Sequence, residues 1–187
     1  ASPGDTLKVG LIGCGGRGTG AAAQALQTGD SVILTAVGDV FDHQLQNSLN
    51  ALKQKPAPKE GEAPQPHFSD RIKVDPDHCF VGLDAFQKVI DSGVDVVLLT
   101  SPPGFRPQHL KAAIEAGKHV FCEKPVATDA PGVRSVLASA AKAKEKKLAL
   151  VSGYCWRYEL GRREFYKRVH DGAIGAIRAI YATYLTG

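Results

Sequence analysis

Short apolar runs alternate with stretches of helical character along the first 155 residues. Residues 7–12, LKVGLI, form an apolar run ending at glycine, which predicts a buried strand. The alanine-rich residues 17–26 predict a helix, with Gly29 as its stop. Residues 31–39 read as a second strand and 41–53 as a second helix; a short strand at 79–82 and a helix at 83–92 follow. Residues 94–100, VDVVLLT, are the most strand-like in the chain and are apolar on both faces, as a central parallel strand must be. Then come a helix over 107–117, a strand over 118–122, a helix over 130–147 and a sixth strand over 148–152. Such alternation predicts an α/β fold, a doubly wound parallel sheet of the Rossmann type, because each crossover covers a face and is right-handed.

Two stretches break the rhythm. Residues 55–78 contain Pro56, Pro58, Pro64, Pro66 and Pro76, which predict an irregular surface loop, since proline removes a donor and restricts its predecessor. After Trp156 a polar helix is expected over 159–170, Gly172 and Gly175 punctuate, and 177–184 is rich in β-formers. A lone strand cannot bury itself. The expectation is therefore a dinucleotide-binding domain over 1–155 and the opening of a second, substrate or oligomerisation domain over 156–187.

Composition adds limits. The 187 residues are 43% hydrophobic and 22% charged, which is ordinary for a globular chain. A net charge of +4 is too small and too scattered to argue for nucleic acid, and the lysines of residues 142–147 read as the solvated end of a helix. The longest apolar stretches are strand-sized, which argues against a membrane span. Cys14, Cys79, Cys122 and Cys155 lie far apart, each in or beside a predicted strand, where a free thiol packs as a small hydrophobe; no metal site is expected. The chain begins at Ala1 and contains no methionine, so either a leader has been removed or this is part of a longer chain.

The chemistry begins at Gly13-Cys14-Gly15-Gly16-Arg17-Gly18, which follows a strand and opens a helix. In that setting Gly13 permits the tight turn, Gly15 lets backbone approach a pyrophosphate, and Gly18 lets helix and strand pack closely. Free N–H groups at the helix start would face the phosphates, aided by the helix dipole, and Arg17 makes the turn more basic. Asp39 closes the second strand 21 residues after Gly18. A carboxylate there accepts hydrogen bonds from the adenosine ribose and repels a 2′-phosphate, and residues 40–45 hold no Arg or Lys to neutralise one. NAD is expected over NADP.

Three further segments fall at the carboxyl ends of predicted strands, where an open α/β sheet places its ligand: Thr100-Ser101-Pro102-Pro103 with His109 on the next helix, Cys122-Glu123-Lys124-Pro125, and Gly153-Tyr154-Cys155-Trp156-Arg157-Tyr158. Together with the glycine turn they resemble the glucose–fructose oxidoreductase / inositol dehydrogenase / rhizopine-catabolism (Gfo/Idh/MocA) family over nearly the whole chain. Glu123-Lys124-Pro125 is similar to that family's Glu-Lys-Pro hallmark, and Thr100-Ser101-Pro102 with His109 to its Thr-x-Pro…His element, with Pro103 where asparagine is common.

The resemblance implies an NAD(P)-dependent oxidoreductase acting on a secondary hydroxyl of a sugar, cyclitol or related polyol, in a homo-oligomer. It places Lys124 beside the nicotinamide and the reacting carbinol, with a cis bond to Pro125. It has Glu123 helping to hold the cofactor, and Trp156 and Arg157 bordering the nicotinamide end. A lysine so crowded can have its pKa lowered and can donate to an alkoxide forming as hydride leaves. Family members carry an Asp-x-x-x-His pair, the proton acceptor, on a helix of the second domain. His170 and Asp171 are adjacent and lie too early to replace it, so residues 1–187 are expected to bind cofactor without turnover. Two alternatives stay open: an NAD-dependent glycoside hydrolase of the same family, and a nucleotide-binding or regulatory protein without chemistry. The location is expected to be cytoplasmic, with the periplasm after folded export as the alternative.

Overall fold

The computed structural model of the chain describes residues 5–54 and 67–185. The chain divides into two units, Ala1–Gly153 and Tyr154–Gly187. In the first, six strands form one sheet in the order β3-β2-β1-β4-β5-β6, every neighbouring pair parallel. They are β1 (Leu7–Ile12), β2 (Val32–Asp39), β3 (Cys79–Val81), β4 (Val96–Leu99), β5 (His119–Cys122) and β6 (Leu150–Ser152). Helices α1 (Gly16–Gln27), α2 (Asp42–Lys53), α3 (Ala85–Asp91), α4 (Arg106–Glu115) and α5 (Ala130–Glu145) connect them. The order reverses between β1 and β4, which opens a crevice beyond the carboxyl ends of those strands.

Alternation of side chains along the strands splits the apolar residues between two cores. On one face Val9, Leu11, Leu34 and Leu98 meet Leu26 of α1 and Leu45 and Leu49 of α2. On the other Ile12, Ala36, Val97 and Leu99 meet Val89 and Ile90 of α3 and Leu110 and Ile114 of α4. Charged side chains finish several helices. The Arg71 guanidinium donates to the carbonyl of Leu26 in the last turn of α1 and to that of Gly29 just beyond it. Lys146 donates to the carbonyls of Ile114 (3.0 Å) and Glu115 (2.7 Å) at the end of α4, where the dipole favours a cation. That lysine closes a neighbouring helix, so it is not simply the solvated charge its run predicts.

The proline-rich segment also departs from expectation. Residues 55–66 lie outside the described residues. Beyond them Phe68 and Ile72 are buried in the first core, Ile72 bridges to Leu34, and Ser69–Arg71 and Pro76–His78 form single 3-10 turns. Phe68 and Ile72 thus pack on the sheet with Val74 partly buried beside them, while Lys73, Asp75, Pro76 and Asp77 stay exposed.

The second unit holds a 3-10 turn at Cys155–Arg157 and helix α6 (Leu160–His170), started by Glu159, whose carboxylate accepts from the N–H groups of Gly161 and Arg162. Arg162 stacks over Trp156 at 4.4 Å. The strand expected at 177–184 is not formed: residues 177–185 have no regular secondary structure. Their β propensity has no neighbouring strand to pair with among the described residues, and propensity alone does not hold a strand.

Candidate functional site

Beyond the carboxyl ends of β1, β2 and β4 lies a cleft of about 570 Å³, a size ordinary for a small-molecule site. The glycine turn forms its floor. Gly13 has φ +94°, and a Cβ there would meet the backbone nitrogen of Ser101 at 2.5 Å. At Gly18 a Cβ would overlap the carbonyl oxygen of Gly13. Thr100 locks the bend from the next strand, its hydroxyl lying 2.6 Å from the Gly13 carbonyl and 3.0 Å from that of Ile12. Gly15 and Gly16 face open space, with nothing within 4 Å of an added Cβ, and Gly15 lines the cleft. The first N–H groups of α1 have no intrahelical partner. An open glycine face beside free N–H groups at a helix start fits a dinucleotide diphosphate.

Asp39 borders the same cleft. Its Oδ2 accepts from the backbone N–H of Cys14 at 2.6 Å and its Oδ1 from that of Phe41 at 3.0 Å, which leaves lone pairs for ribose hydroxyls. The Cys14 thiol is buried and donates to the Gly38 carbonyl. Burial, with the nearby Asp39 carboxylate, pushes its pKa up to about 12, so it fills space and stays protonated.

Ser101, Pro102 and His109 line the opposite wall. The Ser101 hydroxyl lies 3.1 Å from His109 Nδ1, and the imidazole stacks on Phe86 at 4.1 Å. Burial pulls the His109 pKa down to about 4, so the ring is neutral near pH 7. Arg17, Glu123 and Lys124 stand outside the cleft lining. Lys124 is exposed and joined to Pro125 by a cis peptide; Glu123 is buried and paired with Arg17 at 2.7 Å. Trp156 and Arg157 belong to the second unit.

The prediction from sequence missed the apolar wall. Phe41 and Leu83, 58% and 70% exposed, line the cleft beyond β2 and β3. Their signal was available: a large apolar residue two positions after a strand end, where burial in a core is not on offer. Among the described residues no group of His, Cys, Asp or Glu is arranged to hold a metal ion, and no helix is long and apolar enough to cross a membrane.

Residues 7–152 match the sequence model GFO_IDH_MocA, an oxidoreductase family with an NAD-binding Rossmann fold. The chain is 30% identical over 179 residues to the inositol 2-dehydrogenase of Acidiphilium cryptum, a match spanning 96% of this chain and 46% of that protein. It is 45% identical over 82 residues to inositol 2-dehydrogenase 3 of Saccharopolyspora erythraea, covering 44% of this chain and 24% of that one. Among solved structures it resembles scyllo-inositol dehydrogenase of Lactobacillus casei, determined with NAD(H) and scyllo-inositol, at 23% identity and a TM-score of 0.67 over 91% of this chain and 43% of that one. The chain spans less than half the length of each of these three proteins.

Proposed function

The chain belongs to the Gfo/Idh/MocA oxidoreductase family, and on that premise we propose that it is the cofactor-binding half of an NAD-dependent dehydrogenase oxidising a secondary hydroxyl of a cyclitol or related sugar. The observation that carries this reading is the joint placement of an open glycine turn and the Asp39 carboxylate on one cleft. Glu123-Lys124-Pro125 stands at the end of β5, two strands from the turn. The inositol dehydrogenases among its relatives support the substrate class.

In this reading the backbone N–H groups of the turn bind the diphosphate and Asp39 binds the adenosine ribose. Phe41 and Leu83 cover the adenine. NAD supplies the hydride acceptor when bound. Lys124 donates a hydrogen bond to the substrate oxygen as negative charge develops there. Neutral His109 shapes the wall beside Ser101 and carries no charge toward the ligand. In this reading the acid–base partner of the substrate hydroxyl is a residue outside residues 1–187.

Fluorescence titration of the purified chain with NADH and NADPH tests the cofactor assignment. Saturable binding with NADH the tighter ligand is expected, and absence of binding to well-folded protein would remove its basis. Incubation of the chain with NAD and a panel of inositols and hexoses is expected to give no NADH absorbance above background; turnover would show that the chain carries its own proton acceptor.

A further inference from the structure

A cation inside a glycine turn is expected to face phosphate. Arg17 is committed elsewhere. Its Nε donates to Glu123 Oε1 at 2.7 Å and its Nη2 to Gln24 Oε1 at 3.2 Å. Glu123 is 4% exposed and immediately precedes Lys124. Its second oxygen accepts from the backbone N–H of Lys124 at 2.9 Å. The end of β6 is shaped around this carboxylate: a Cβ on Gly153 would lie 2.8 Å from Glu123 Oε1.

The other side of Lys124 is also held. Arg106, 5% exposed at the start of α4, donates through Nη1 to the carbonyl of Pro125. The backbone is thus fixed at 123 and at 125, while the Lys124 side chain between them is exposed. Arg17 and Glu123 cancel each other's charge, so the pair adds little net field at the phosphates, whereas a charge-assisted bond to a buried carboxylate is among the stronger polar contacts.

We propose that Arg17 is a positioning residue for the nicotinamide end of the cofactor, given the cofactor orientation proposed above, and is not a phosphate ligand: through Glu123 it sets the segment that carries Lys124. The glycine turn and the Lys124 segment are thereby coupled across two strands of the sheet.

Calorimetric titration with NADH and with ADP separates the two roles, because ADP carries the adenosine and diphosphate without the nicotinamide riboside. For Arg17→Met, NADH affinity is expected to fall about tenfold and ADP affinity by less than about twofold. Glu123→Gln is expected to show the same split, and the double variant to be no weaker than the worse single one. Equal losses on both ligands would put Arg17 on the diphosphate and overturn the proposal, as would an unchanged NADH affinity or additive losses in the double variant. Arg17→Met leaves the buried Glu123 carboxylate without its partner, so urea unfolding is measured on every variant; should either single variant unfold, the double variant, which strands no buried charge, decides by the same NADH-against-ADP split. Failure of the unsubstituted chain to bind either ligand would overturn the cofactor assignment itself, a result distinct from all of these.

Discussion

The backbone N–H of Cys14 donates a 2.6 Å hydrogen bond to Asp39 Oδ2, so the glycine turn and the acid ending β2 are one connected unit. Asp39→Asn keeps an acceptor oxygen and removes the charge that opposes a 2′-phosphate. NADH affinity is expected to fall about tenfold, with NADPH gaining relative to NADH. Paired titrations measure the ratio, and an unchanged ratio would take coenzyme selection away from Asp39.

Gly15 and Gly18 give opposite expectations from the same substitution. Gly18→Ala drives a methyl into the Gly13 carbonyl and is expected to cost about 1–3 kcal/mol of stability. Gly15→Ala meets open space in the fold, and the poorer N-cap is offset by the lower entropy of the unfolded chain, so stability should change by less than about 1 kcal/mol. NADH affinity should nevertheless fall at least about tenfold, because the methyl would occupy the place proposed for the diphosphate. Urea unfolding and NADH titration of both variants separate the two effects.

Thr100→Val removes the hydroxyl that joins β4 to the carbonyls of Ile12 and Gly13. A loss of about 1 kcal/mol is expected in urea unfolding, with Thr100→Ser restoring most of it. A valine variant as stable as the parent would show that the bend does not need this tie.

His109 gives the chain a pH dependence of known sign. Unfolded, the imidazole takes a proton near the ordinary value of about 6.5; folded, burial delays this to about 4. Between those values the unfolded chain binds more protons, so this contribution is complete above about pH 6.5 and declines as pH falls toward about 4. Denaturant midpoints measured across that window should drop, and His109→Gln should flatten the drop. An equally steep drop in the variant would assign the effect to other groups.

The sheet was legible because each strand from Leu7–Ile12 to Leu150–Ser152 is a short apolar run, and right-handed crossovers leave few ways to order such runs. The placement of the turn and Asp39 on one cleft was legible for a related reason: it follows from local spacing after a strand. Arg17 was not legible in the same way. Its partner is 106 residues distant, and no local pattern distinguishes an arginine that faces phosphate from one that reaches Glu123. Phe68 and Ile72 were hidden by the prolines around them, and residues 177–184 showed β propensity where the described structure offers no pairing edge. Local chemistry survives in the sequence, while long-range partnership does not.

The four cysteines differ sharply in what a thiol reagent would find. Cys14 and Cys122 are buried, with pKa values pushed up to about 12 and about 11, and burial raises that of Cys79 as well. Cys155 alone is exposed, against the expectation that all four would pack inside. A maleimide dye added at neutral pH should therefore attach there first, giving the second unit a native reporter handle without any engineered cysteine and with the glycine bend left unmarked.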